Sequence, residues 1–215
     1  MGKMALVTGS TGLVGTHLID QLISNHHFQK IYAIQRRKTE RSHVKLKELV
    51  DDLDELDSVD LPEIDIAFCC LGTTMKQAGS KDRFKLVDFT YVIQTAEKAK
   101  AQGASTFCVV SAMGANANSS IFYNKVKGEV EEKLKAMNFE TLHIFRPSML
   151  VGNRKENRLG EKIGIAVFKF LDPIMRGPLA KYRASDSEKV ATQMVEKSLN
   201  SSPGLHIWEA DCFVD

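Results

Sequence analysis

The sequence has no long apolar run, no dominant charge and no cysteine framework, and each absence removes a class of function. Nothing in it approaches the ~20 apolar residues of a membrane-spanning helix. The opening Met1-Gly2-Lys3-Met4-Ala5-Leu6 lacks a signal-peptide h-region and cleavage site, and also the Ser or Thr that a myristoylation motif needs at position 6. No membrane partner is expected. With 29 basic against 27 acidic residues the net charge is near +2, so the one-signed field of a nucleic-acid binder is missing and no nucleic-acid partner is expected either. Cys69, Cys70, Cys108 and Cys212 show no CxxC spacing, and three of them lie in apolar, strand-like runs. That fits buried, reduced thiols and not disulfides. The histidines include no HExxH, and no metal site is expected. These features together read as a cytoplasmic protein.

What is present is concentrated in the first twenty-five residues. The apolar run Met4-Ala5-Leu6-Val7 passes straight into Thr8-Gly9-Ser10-Thr11-Gly12-Leu13-Val14-Gly15 and then into an amphipathic segment, the order strand, glycine turn, helix. Glycines at 9, 12 and 15 suit a phosphate-binding turn: the first bends sharply, the second admits a pyrophosphate close to backbone, the third lets helix and strand approach. Free N–H groups at the helix start would face the anion. Any βα turn uses glycine, so the pattern alone leaves a structural turn open. The first helix is predicted over residues 12–25, from the helical spacing of Leu13, Val14, Leu18, Ile19, Leu22 and Ile23.

A second strand, Ile31-Tyr32-Ala33-Ile34, ends in Gln35-Arg36-Arg37-Lys38, where a binder of unphosphorylated NAD usually places an acid for the ribose hydroxyls. Guanidinium groups there match a 2'-phosphate, although paired basic residues also make ordinary solvated turns. A short strand is predicted around 44–50 and a buried one over 64–71, opening into Gly72-Thr73-Thr74, where small residues would let a cofactor lie across the strand end. A long helix over 84–101, closed by Gly103, leads into the strand 106–110. The regular alternation predicts an α/β fold, a Rossmann-type doubly wound parallel sheet. At 215 residues with 43% hydrophobic content, one domain spanning 1–215 is the expectation.

That strand ends at Ser111, and twelve residues later come Tyr123 and Lys127. Four apart on a helix, they share a face. An ammonium beside a phenol favours the phenolate, so the tyrosine can pass a proton to or from a substrate oxygen while a neighbouring serine orients that oxygen. In isolation the spacing YxxxK is a frequent accident; after a glycine turn and alternating elements it gains meaning.

These motifs, with Phe145-Arg146-Pro147-Ser148-Met149-Leu150, resemble those of an extended or atypical short-chain dehydrogenase/reductase. In more detail, Cys69-Cys70-Leu71-Gly72-Thr73-Thr74, Val126-Lys127-Gly128-Glu129-Val130-Glu131 and Phe145-Arg146-Pro147 are similar to those of the Tat-interacting, NADPH-binding oxidoreductase family and its bacterial relatives. The resemblance implies NADP(H) as cofactor, with Gly9, Ser10, Thr11, Gly12, Leu13 and Val14 around the pyrophosphate and Arg36 and Arg37 on the 2'-phosphate. It places Leu71 and Gly72 along the adenosine ribose, Leu150 near the nicotinamide and Arg158 reaching back to the cofactor. It assigns Tyr123 as acid/base, Lys127 as its partner and ribose ligand, and Ser111 as the orienting serine, with residues 151–215 lining the substrate side. Where that family shows two serines, this chain has Ser111-Ala112; Ser119 and Ser120 are alternatives. The expected activity is hydride transfer with a small carbonyl or alcohol. The alternative is a non-catalytic NADPH sensor that binds a partner protein, and the short C-terminal part disfavours a sugar-nucleotide epimerase. Oligomeric state is left open.

Overall fold

The computed structural model describes residues 2–51, 53, 54, 56–151, 183–200 and 202–214. Strand β1 (Lys3–Thr8) leads into helix α1 (Leu13–Ser24), β2 (Phe28–Gln35) and β3 (Leu46–Val50); β4 (Ile66–Cys69) follows. Then come α2 (Met75–Ala78) and α3 (Lys81–Lys85), a π-helical turn over Leu86–Thr90, and α4 (Tyr91–Ala101). The core of the chain continues with β5 (Thr106–Val110), α5 (Phe122–Ala136) and β6 (Thr141–Arg146). A small parallel pair, β7 (Leu150–Val151) with β8 (Ser185–Asp186), precedes α6 (Ser187–Asn200) and β9 (Gly204–Glu209).

Seven strands make one sheet in the order β3-β2-β1-β4-β5-β6-β9, and every pairing is parallel. This is the doubly wound arrangement, in which the chain reverses its direction of winding between β1 and β4 and leaves a crevice outside their carboxyl ends. Both faces are apolar because the central strands are: Ala5, Val7, Ile31 and Phe68 pack with Leu18, Leu22, Val190 and Met194 of α1 and α6, while Leu6, Ala67, Phe107 and Ile144 pack with Val92, Ala96, Val130 and Leu134 of α4 and α5. Buried-on-both-faces strands explain the near-continuous apolar runs in the sequence.

The helix predicted over 84–101 begins earlier, at Lys81, capped by the Ser80 hydroxyl accepting from Arg83 N–H, and carries the π turn in its middle. Its end is as expected: Gly103, at φ +85°, lets Ala104 N–H reach Ala99 O at 3.0 Å. Of the stretch 151–215 that the resemblance assigns to the substrate side, residues 152–182 lie outside the described residues.

Candidate cofactor and catalytic site

Two of the three turn glycines are sterically obligatory. Gly9 sits at φ +74°, and a Cβ there would lie 2.5 Å from the Cys70 carbonyl carbon; a Cβ on Gly15 would lie 2.1 Å from Gly9 O. Gly12 is freer, with Gly9 O at 3.3 Å from its Cβ position, and its own N–H donates to that oxygen at 3.0 Å. As the N-cap of α1, Gly12 offers no side chain to the first-turn amides, and the first turn has no acidic residue. Among the described residues the helix start is therefore left with unpaired N–H donors beside the exposed Thr11 and Gly12, an arrangement that fits a phosphate. Val14 is buried against the sheet, so its part toward a ligand is confined to backbone, while Leu13 is half-buried.

The same turn is tied to the end of β2. Ser10 Oγ donates to Gln35 Oε1 at 2.6 Å, both residues buried. Arg36 and Arg37 follow directly, exposed and with no hydrogen bond or ion pair among the described residues, so two guanidinium groups stand at the end of the strand that the glycine turn is tied to.

Across the crevice, β4 opens into half-buried Leu71 and exposed Gly72. A Cβ at Gly72 would lie 3.6 Å from Asp88 Oδ1 and 3.7 Å from Lys127 Nζ. These two form an ion pair at 2.8 Å with side-chain exposures of 0% and 6%. Asp88 Oδ2 also accepts from Thr73 N–H at 2.8 Å. Burial opposes charge on Lys127, but the Asp88 carboxylate and the Tyr123 phenol outweigh it and hold the ammonium above the ordinary lysine range. Asp88 was not singled out by the sequence reading; the available signal was an acid set among Leu86, Val87 and Phe89 on an otherwise apolar helical stretch.

Tyr123 stands one turn before Lys127 on α5, half-buried, with its ring centroid 5.5 Å from that of Phe84. The loop from β5 to α5 crosses the helix at Gly128, where a Cβ would lie 2.1 Å from Ala117 N, and Asn116 N–H donates to Asn124 O at 3.0 Å. That close crossing fixes the loop to the first turn of the tyrosine helix, and it is why glycine follows Lys127.

Ser111 lies at the end of β5, buried, and donates its hydroxyl to Glu131 Oε1 at 2.5 Å. Glu131 is buried too and also holds Arg146, at 3.0 Å from Nε and 2.6 Å from Nη2; Arg146 reaches Glu209 at 2.9 Å. Glu131 leads the groups that push the Arg146 guanidinium further above its usual range. Ser119 Oγ accepts from Ile121 N–H at 3.1 Å, a turn contact just ahead of α5. Leu150 is half-buried in β7, packed toward the α1 and α6 face. Arg158 lies outside the described residues. Among the described residues no cluster of three metal-ligating side chains occurs, and no helix is long and apolar enough to cross a membrane.

A family profile described as NAD(P)H-binding matches residues 9–158. Protein HTATIP2 of Rattus norvegicus is 39% identical over 165 residues, covering 74% of this chain and 67% of its own. Protein FMP52-1, mitochondrial, of Scheffersomyces stipitis is 36% identical over 176 residues, covering 78% and 76%. A solved oxidoreductase of the short-chain dehydrogenase/reductase family from Burkholderia thailandensis superposes with a TM-score of 0.74 at 14% identity, covering 99% of this chain and 93% of that one, which bears on the fold alone. One expectation is corrected: the cytoplasmic assignment does not stand beside a series of fungal relatives named as mitochondrial. Charge balance describes the surface of a fold, whereas an organelle address is read by a receptor and leaves no mark on the fold. The profile match and the relatives agree, and the chain belongs to the NAD(P)H-binding family, together with the HTATIP2 and FMP52 proteins to which it is similar.

Proposed function

We propose that the protein is an NADP(H)-dependent oxidoreductase acting on a small carbonyl or alcohol. The observation that carries this reading is that Tyr123 and Lys127 stand one turn apart on α5, with the Lys127 ammonium 3.7 Å from where a Cβ on Gly72 would lie, across the crevice from the uncapped start of α1. The nicotinamide, when bound, supplies or accepts the hydride. The chain's own residues do the rest. Thr11, Gly12 and the first-turn amides of α1 hold the pyrophosphate; Arg36 and Arg37 take the 2'-phosphate; Leu71, Gly72 and Leu150 line the cleft.

Tyr123 gives its phenolic proton to a carbonyl oxygen in reduction and takes one from an alcohol in oxidation. Lys127, held charged, favours the phenolate that forms and donates to the ribose. Ser111 takes a narrower role than the family resemblance implies. Its proton is committed to Glu131, so its oxygen is left as an acceptor, and Tyr123 is the donor to a carbonyl. The first test is mass spectrometry of the protein as purified for retained nucleotide, followed by a carbonyl panel with NADPH; retained or added NADPH without turnover on any substrate counts against the enzyme reading.

The second reading, a sensor whose NADPH occupancy governs a partner protein, is favoured by that same Ser111–Glu131 bond at 2.5 Å, which removes a free hydroxyl donor from the expected place. Separating the two depends on Tyr123, because a sensor has no use for its proton.

A further inference from the structure

Single apolar side chains scattered over a protein surface need no explanation, but their grouping does. Among the described residues seven large apolar side chains are exposed. Four of them, Val44, Val50, Leu205 and Ile207, belong to or border the two outer strands, β3 and β9. The other three, Met75, Ile121 and Met149, each stand in the segment leaving the carboxyl end of one of three adjacent strands, β4, β5 and β6. Half-buried Met113 joins them from the β5 segment. The backbone holds all four in place. Thr73, two residues before Met75, is tied to Asp88 and through it to Lys127, and Thr74 caps the helix that Met75 opens, its hydroxyl accepting from Gln77 N–H at 3.2 Å. Ile121 is the N-cap of α5, two residues before Tyr123. Met113 N–H donates to Pro147 O at 2.9 Å, and Ser185 N–H donates to Met149 O at 3.0 Å, so the β5 and β6 segments are fastened to each other and to β8. Phe84 adds an apolar ring beside the phenol, with centroids 5.7 Å from Phe122 and 5.5 Å from Tyr123.

The same segments carry no charge. Residues 71–75, 111–124 and 147–151 contain no Asp, Glu, Lys, Arg or His, and Lys127, one turn on from the phenol, already has its counter-ion in Asp88. A carboxylate or phosphate on a substrate would give up water here for no partner among these residues, whereas an uncharged apolar body would take methionine and isoleucine surface out of water. Methionine, unbranched and polarisable, also repacks around bodies of different shape. We propose that the substrate is an uncharged aldehyde, ketone or alcohol with an extended apolar body, an alkyl chain or an aromatic ring, and that Met75, Met113, Ile121 and Met149 form the adaptable surface on which that body lies. The proposal rests on the oxidoreductase reading above. In reduction the carbonyl carbon receives the hydride of NADPH and the oxygen receives the proton of Tyr123, leaving NADP⁺ and the alcohol.

The test measures kcat/KM for NADPH oxidation by the full chain along the straight-chain aldehydes from propanal to octanal, with pyruvate as a charged carbonyl of similar size to the shortest. A methylene moved fully out of water is worth about fourfold, so one lying on a surface open on its other side should gain roughly twofold, and octanal should exceed propanal by about thirtyfold. Pyruvate should be slower than propanal. The double substitution Met75→Gln, Met149→Gln keeps the length of both side chains and removes their apolar character; in it the octanal-to-propanal ratio should fall by roughly threefold or more. A native ratio near one, a preference for pyruvate, or a ratio that survives the double substitution overturns the substrate assignment and leaves the oxidoreductase reading standing. No oxidation across the series, with NADPH binding shown by calorimetry, overturns the oxidoreductase reading and the assignment with it. The native series needs no variant, so it decides by itself if the double variant does not fold.

Discussion

Ser111 Oγ donates to Glu131 Oε1 at 2.5 Å, inside a buried cluster that Arg146 completes. A hydroxyl spent in this way cannot also donate to a substrate carbonyl. Ser111→Ala should therefore slow carbonyl reduction less than tenfold while costing about 1 kcal/mol of stability for one lost hydrogen bond. Glu131→Gln should cost more, on the order of 3–5 kcal/mol, because it leaves the Arg146 guanidinium without its buried carboxylate. Denaturant unfolding of both variants, with steady-state rates at matched folded fraction, checks the pair; a rate loss of two decades in Ser111→Ala would return the serine to the orienting role.

A helical glycine pressed against the first turn should differ sharply from a left-handed glycine with open space around it. Gly15→Ala puts a methyl 2.1 Å from Gly9 O and 2.8 Å from Gly9 C and Ser10 Cα, all backbone, so it should cost about 3 kcal/mol or more and abolish cofactor binding. Gly79→Ala has nothing within 4 Å and suffers only the left-handed conformation, at φ +75°, worth roughly 1–2 kcal/mol. Thermal denaturation and NADPH titration of the two variants side by side measure the contrast.

Cofactor preference should reside in Arg36 and Arg37. Charge-assisted contacts of this kind are worth about 1.5–3 kcal/mol, so native protein should prefer NADPH over NADH by roughly tenfold or more, and the double substitution Arg36→Ala, Arg37→Ala should remove the preference while leaving NADH affinity nearly unchanged. Equal native affinities by calorimetry would contradict the assignment.

The glycine turn, the parallel alternation and the Tyr123/Lys127 face were legible in the sequence because each rests on local spacing: a period of strand or helix, or a glycine where a side chain collides. The π turn was not, since one added residue inside twenty-one helical ones leaves the apolar periodicity almost intact and makes Asp88 look solvent-facing. The partner of Ser111 was hidden for a different reason. Glu131 is twenty residues away, on a helix whose register against β5 is set by the loop crossing at Gly128, a contact that no periodicity encodes. The bond from Ser10 to Gln35, 25 residues apart, is likewise invisible to local spacing.

Acid sensitivity should centre on the β6–β9 pair. His143 is fully buried, accepts from Trp208 Nε1 at 3.1 Å and stacks on His206 with centroids 4.9 Å apart. Burial, with the neighbouring His206 and Lys197 charges, pushes it down from 6.5 to about 4. A folded-state value below the unfolded one gives stability that is intact above 6.5 and is lost as pH falls through about 4, by at most on the order of 3 kcal/mol. In His143→Gln, which keeps an acceptor for Trp208, chemical denaturation across that interval should lose most of this slope; an unchanged slope would place the acid sensitivity elsewhere.

The proton role of Tyr123 is tested most directly by single-turnover oxidation of bound NADPH, followed by nicotinamide absorbance against a panel of small aldehydes and ketones, as a pH series on native and Tyr123→Phe protein. The expected result is turnover with at least one carbonyl, a fall of about 10² to 10⁴ in Tyr123→Phe, and NADPH affinity close to native in that variant. Equal rates in the two proteins, or no oxidation across the panel despite tight NADPH binding, would contradict it.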